Sequence, residues 1–312
     1  CKPDNITFYA AHFWGSLKYL SPFWGILMII TIIDSIFNLT IFTKFLAFYS
    51  LPAPDSVLKW HYELSERITK MREITLITGA SSGIGRETAL YFSQKGHPVI
   101  IICNKNTEGL NELKSLIKGN NGIVESFIAD VSSYEEMSDI FNILSQKNFL
   151  PDILVNNAGI SHIGLLQDMT SDEWKHIIDV NLTSVFNCSK LIIPHMLSKK
   201  SGHIINISSM WGNVGASCEV AYSASKGGVN TFTKALAREL APSNIAVNAI
   251  AFGTVDTRMN HFLDAEEKAA LIEEIPAGRF LNPQESAEII YSVATLNSYV
   301  TGEIITPYGG LT

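Results

Sequence analysis

Cysteine is scarce: Cys1, Cys103, Cys188 and Cys218 are the only four in 312 residues, with no CxxC pair and no histidine run beside them. That excludes a disulfide framework and a cysteine-based zinc site, and it makes a reduced, cytoplasmic setting the expectation. Positive charge is also short. With 23 Lys and Arg against 30 Asp and Glu the formal net charge is -7, and the basic residues are scattered, so nucleic-acid binding is not expected. His162, His176, His195 and His203 lack ligand spacing, so no metal is expected. No internal repeat or low-complexity run interrupts the chain.

Charge is nearly missing from one stretch. Between Leu20 and Leu51 only Asp34 and Lys44 are charged, and residues 1–70 hold 14 of the 31 aromatic residues. The run from Phe23 to Phe42 is long enough for roughly 30 Å of helix, the thickness of a bilayer core. A membrane helix over about 23–42 is therefore the leading reading, with membrane contact through residues 20–50. Asp34 counts against it, since a carboxylate at mid-bilayer costs about 3 kcal/mol on insertion scales. The alternative is a buried or interfacial helical hairpin. Basic residues are denser after the segment, so the C-terminal part is placed in the cytoplasm. A chain opening on Cys1 reads as a fragment or processed product, and Met71 is an alternative start for the C-terminal part. Two prolines in LPAPDS, residues 51–56, mark a linker.

From Ile74 the pattern changes to short β-branched runs separated by amphipathic stretches. ITLIT at 74–78, PVIIIC at 98–103, SFIAD at 126–130, DILVNNAG at 152–159, HIINIS at 203–208 and IAVNAIA at 245–251 are the expected strands. Nearly continuous apolar strands alternating with helices imply an α/β fold with a parallel sheet covered on both faces. Residues 71–312 are read as that domain, and 1–70 as a separate hydrophobic segment.

TGASSGIG, Thr78 to Gly85, joins the first strand to a helix. Glycine there allows a tight turn and lets backbone N–H groups approach a pyrophosphate at the helix N-terminus. By itself such a turn is also an ordinary strand-to-helix loop. Gly79, Ser81, Ser82, Gly83, Ile84 and Gly85 are the candidate phosphate contacts. The second strand ends in Cys103-Asn104-Lys105, without the carboxylate that would take the ribose hydroxyl of NAD. Asn104 and Lys105 therefore favour NADP(H) over NAD(H), the alternative being that Lys105 is a solvated loop lysine.

Together these residues resemble the short-chain dehydrogenase/reductase family. TGASSGIG is similar to its TGxxxGxG turn, Asp130-Val131 to its adenine-contacting pair, and Asn156-Asn157-Ala158-Gly159 to its NNAG motif. Asn181, Ser209, Tyr222 and Lys226 resemble its catalytic tetrad, and Val255 and Thr257 stand where the family holds the carboxamide of the nicotinamide. The resemblance implies a Rossmann-type doubly wound sheet, an NADP(H)-dependent ketoreductase and a homo-oligomer, tetramer or dimer. A narrower similarity is to the reductases of 5-aminopentanone-modified elongation factor P and to the 3-oxoacyl-(acyl-carrier protein) reductases, so the implied ketone is carried on a protein. Membrane-anchored reduction of lipid or steroid ketones is the alternative that residues 1–70 support. Two positions depart from the family: Phe252-Gly253 replaces Pro-Gly after the sixth strand, freeing the φ of residue 252, and Pro307 enters the C-terminal turn.

Tyr222 and Lys226 are four apart in a helical pattern, so they share a face. An ammonium there is expected to stabilise a phenolate and lower the pKa of Tyr222. The resemblance makes Tyr222 the proton donor, Ser209 the aligner of the carbonyl oxygen, Lys226 the holder of the ribose and Asn181 the anchor of a water. The segment between Ser209 and Tyr222 must cross the mouth of the site, which makes Trp211, Cys218 and Glu219 candidate substrate contacts. Cys218 has no histidine near it in sequence, and no nucleophilic role is expected of it. Glu219 is the expected partner of an ammonium if the substrate is an aminoketone.

Overall fold

Every one of the six β-branched runs lies in or overlaps a strand, because these residues suit a pleated surface that is covered on both sides. The computed structural model describes residues 73–260 and 264–311; the expected membrane helix at 23–42 and the linker at 51–56 lie outside the described residues. Seven parallel strands form one sheet: β1 Thr75–Thr78, β2 Val99–Cys103, β3 Val124–Ile128, β4 Ile153–Asn156, β5 Gly202–Ser209, β6 Ile245–Phe252 and β7 Ile304–Ile305. Their spatial order is β3-β2-β1-β4-β5-β6-β7. The winding reverses between β1 and β4, and a crevice opens there beyond the strand ends.

Successive residues of each central strand feed opposite cores. Ile77 packs with Ala89 and Phe92 of α1 (Gly83–Gln94), Leu113 of α2 (Thr107–Gly119) and Ile290 of the helix Pro283–Ala294. Its neighbour Leu76 packs on the other face, with Met137 of α3 (Tyr134–Gln146) and Ile192 of the helix Ser184–Lys199. Among the described residues no helix is long and apolar enough to cross a membrane.

Three differences from expectation affect the site. The third strand runs Val124–Ile128, two residues earlier than SFIAD, so Asp130 lies past its end and near the crevice. β7, only two residues long, is too short to leave a pattern in the sequence. Phe252 is not loosened by the missing proline. It is the buried last residue of β6, its carbonyl accepts from Met210 N at 2.9 Å, and Gly253 N donates to Pro307 O at 3.1 Å.

The next helices in chain order are α4 (Ser171–Ile178), α5 (Ser184–Lys199), α6 (Trp211–Val214), α7 (Val220–Leu240), α8 (Ala265–Glu274) and α9 (Pro283–Ala294). α7 carries Tyr222 and Lys226, and a buried polar chain ties it to the sheet. Asn156 Nδ2 of β4 donates to Asn206 Oδ1 of β5 at 2.9 Å, and Asn206 Nδ2 donates to Thr233 Oγ1 of α7 at 2.9 Å. Cutting such a chain strands buried donors, at about 1–3 kcal/mol each. Asn206→Ala should therefore lower the denaturant midpoint by a stability loss in that range, and an unchanged midpoint would show that the chain contributes nothing.

Candidate active site

At the end of β1 the chain must reverse beside the end of β4, and the two come very close. Gly79 has φ +66°, and a Cβ built on it would lie 2.9 Å from the Ala158 Cα, so only glycine fits. Thr78 Oγ1 accepts from both Asn157 N and Ala158 N at 3.0 Å, while Asn157 Nδ2 donates to Thr78 O at 2.9 Å. The turn and the NNAG segment are thus stitched together. Gly85 sits behind the turn, where a Cβ would meet Gly79 O at 2.5 Å, and it does not line the cleft.

The N-terminus of α1 is left open. Ser82, its N-cap, makes no side-chain cap bond, and the first turn carries no carboxylate. In contrast α4, α8 and α9 each close theirs with a capping box. Free N–H groups at the positive end of a helix dipole suit a phosphate. Asn106 braces this turn, with Nδ2 donating to Ser81 O at 3.3 Å and Oδ1 accepting from Gly109 N at 3.1 Å. Sequence reasoning missed Asn106, although an asparagine before TEGLNELK is a helix N-cap signal.

A cleft of ≈ 700 Å³ runs from this turn along the strand ends. Gly79, Ser81, Ser82, Gly83 and Ile84 line it at the turn before α1. Asn104, Lys105, Asp130 and Val131 line it past the ends of β2 and β3, and Asn157, Ala158, Gly159, Val255 and Thr257 also line it. Burial pushes the Asp130 carboxyl up, but Ser132, whose Oγ and N donate to Oδ1 at 2.6 and 2.9 Å, together with His176 and Asn104, holds it below the usual range. Asn104 and Lys105 are exposed, and no ion pair among the described residues engages Lys105.

Ser209, Tyr222 and Lys226 meet at the other end. Ser209 closes β5; its side chain is hydrogen-bonded to the Tyr222 phenol and accepts from Trp211 N at 3.2 Å. Lys226 is buried, its Nζ 5.7 Å from the centroid of the Tyr222 ring and donating to Ile207 O at 2.8 Å. The expected lowering of Tyr222 is not what this arrangement produces. Burial pushes the phenol up to about 12, and the nearby Glu219 charge adds to this, against the bond from Ser209. Burial also drives Lys226 down to about 8, so without a buried anion the ammonium itself is disfavoured.

Asn181 is held in a π-helical turn, Asp179–Thr183, between α4 and α5, and it is fully buried. Its Oδ1 accepts from Ile160 N at 2.8 Å, and its Nδ2 donates to Ile160 O at 2.9 Å and Ser225 Oγ at 3.0 Å. Both side-chain donors are committed, and the residue does not line the cleft. Its side chain positions the chain leaving β4 against α7.

Trp211 and Glu219 line the mouth, but Cys218 does not. Cys218 has φ +62°, and its carbonyl accepts from Gly164 N at 2.8 Å, which ties the loop before α7 to the loop after β4. Ile163, His176, Met210, Arg258 and Met259 also line the cleft. No motif in the sequence marks them. Among the described residues no three His, Cys, Asp or Glu side chains gather as a metal site.

An open helix N-terminus at the switch point of a doubly wound sheet, with Ser209, Tyr222 and Lys226 gathered at the far end of the same cleft, defines a nicotinamide-dependent oxidoreductase. The chain belongs to the short chain dehydrogenases, whose family model matches residues 73–268. It is 39% identical over 240 residues to the 3-oxoacyl-(acyl-carrier-protein) reductase of Thermotoga maritima, covering 77% of this chain and 97% of that protein. An uncharacterized oxidoreductase of Bacillus subtilis is 36% identical over 242 residues, covering 77% of this chain and 99% of its own. Among solved structures, an actinorhodin polyketide ketoreductase with NADPH superposes at a TM-score of 0.73 with 32% identity, covering 78% of this chain and 98% of that one. A 3-oxoacyl-(acyl-carrier protein) reductase from Brucella melitensis gives 0.71 with 33% identity, over 77% and 91%.

The geometry has two measurable consequences. Gly79→Ala should weaken NADPH binding about tenfold or more in a fluorescence titration, because a side chain at that φ costs about 1–3 kcal/mol before its contact with Ala158; unaltered binding would mean the turn has room. From about pH 8 toward pH 10 the fold should gain stability, because Lys226 has given up its proton in the folded chain and keeps it in the unfolded one. Denaturant midpoints of Lys226→Met should lack that rise; parallel pH curves for the two proteins would contradict it.

Proposed function

We propose that this protein is an NADPH-dependent carbonyl reductase whose ketone is carried on a protein, in the first instance the 3-oxoacyl group of an acyl carrier. The single observation that carries this reading is the junction of Ser209, Tyr222 and Lys226 at one end of a cleft whose other end presents Asn104 and Lys105. Relatives named for 3-oxoacyl-carrier-protein reduction, and one solved with NADPH, support it. Catalysis in the cytoplasm by a dimer or tetramer is proposed on the same likeness.

When bound, the reduced nicotinamide supplies a hydride to the carbonyl carbon. Every other task falls to the chain. The N–H groups at the start of α1 would hold the pyrophosphate, and Lys105 would take the 2′-phosphate. Lys226 Nζ lies at the cleft wall beside Gly159, where a Cβ would be 3.4 Å from it, and would hold the ribose hydroxyls. Ser209 aligns the carbonyl oxygen, an oxyanion-type contribution. Tyr222 then gives its phenolic proton to the alkoxide forming there.

A second ketone class is favoured by one specific residue. Glu219 lines the cleft and is half-buried, and among the described residues no hydrogen bond or ion pair holds its carboxylate. That suits the ammonium of a 5-aminopentanone group on elongation factor P. Purified protein should oxidise NADPH, and NADH more slowly, with a 3-oxoacyl thioester or an aminoketone. Tyr222→Phe should slow turnover by about 10²–10⁴-fold while leaving NADPH affinity intact; undiminished turnover would refute the reading. Glu219→Gln should hurt the aminoketone far more than the thioester if the second class is physiological, and equal effects would remove that class.

A further inference from the structure

Glu219 also stands in a particular relation to Tyr222. It is the one carboxylate in the loop between Ser209 and Tyr222, and it immediately precedes α7. Its carbonyl accepts from Ser223 N at 2.8 Å, so the first turn of α7 sets it one turn before Tyr222, on the same wall of the cleft. Its side chain makes no cap bond to the helix and lines the cleft together with Tyr222.

The other charged or titratable groups are placed differently. Lys226, on the same helix, turns its Nζ to Ile207 O. His176 of α4 and Arg258 of the loop after β6 line the same cleft, and His162 stands in the loop tied to Cys218. Cys103, Lys105 and Asp130 line it at or past the ends of β2 and β3. None of them forms an ion pair with Glu219 among the described residues. A phenolate forming at Tyr222 would therefore meet a like charge that no ion pair holds, which disfavours it, while the Lys226 ammonium, 5.7 Å from the ring centroid, acts in the opposite sense.

We infer that Glu219 is a positioning residue acting through Tyr222: its carboxylate keeps the phenol in the proton-donating form to higher pH. Carbonyl reduction is thereby extended toward alkaline pH, and alcohol oxidation, which needs the phenolate, is held back. The inference rests on the proposed role of Tyr222 as proton donor. The proton itself moves from the phenol to the alkoxide in reduction and from the alcohol to the phenolate in oxidation.

The test is a pair of pH profiles of kcat/KM. One follows NADPH-dependent reduction of a 3-oxobutanoyl thioester, the other NADP+-dependent oxidation of the matching 3-hydroxybutanoyl thioester. In Glu219→Gln the alkaline limb of reduction and the acid limb of oxidation should move together to lower pH. Oxidation measured on that acid limb should then be severalfold faster than in the wild type, and Glu219→Asp should stay near the wild-type profile. Profiles that superimpose on the wild type, whatever happens to KM, would overturn the inference. Wild-type turnover that Tyr222→Phe abolishes tests the reading beneath it separately.

Discussion

The close approach of two parallel strand ends, Gly79 against Ala158, is the constraint on which the rest depends. Without a side chain at residue 79, the turn after β1 can lie on the NNAG segment and take its hydrogen bonds from Asn157 and Ala158. That contact sets the floor of the crevice at the switch point and aims the start of α1 into it. Ser81 O is braced by Asn106 from the second strand-to-helix connection, so the connections after β1, β2 and β4 converge at the start of α1. The same floor continues to Gly159, where Asn181 and Lys226 approach from two different helices.

The far end of the cleft is governed by burial. A phenol, an ammonium and a half-buried carboxylate line one end of the cleft, and burial pushes each toward its neutral form. An arrangement of this kind is costly for stability and useful for proton transfer, because small changes in local charge move the groups a long way. The rigid mounting comes from the buried Asn156-Asn206-Thr233 chain, which couples the sheet to α7. Stability and chemistry therefore meet in the same helix.

Much of this fold and site is legible in the amino-acid sequence. Parallel strands announce themselves as β-branched runs, since both faces are covered, and the glycine turn and the Tyr222-Lys226 pair lie at spacings that their geometry requires. The hidden part is tertiary. The side-chain amide of Asn181 is bound to Ile160 and Ser225, a bracing that no spacing reveals. Cys218 counts with the mouth by its position in sequence, but its left-handed φ turns it onto the Gly164 loop. The direction in which Tyr222 is shifted depends on burial, which periodicity does not report. Ile163 comes from the loop after β4, and Arg258 and Met259 from a single 3-10 turn after β6, where composition carries no geometric signal.

The central claim is that this cleft delivers a hydride from a nicotinamide to a carbonyl carbon. Deuterium transfer tests it most directly. NADPH carrying deuterium at both C4 positions is incubated with the protein and a 3-oxobutanoyl thioester, and the alcohol is analysed by mass spectrometry and NMR. The account predicts one deuterium on the carbinol carbon of the product; product alcohol without the label, or no alcohol at all, would contradict it.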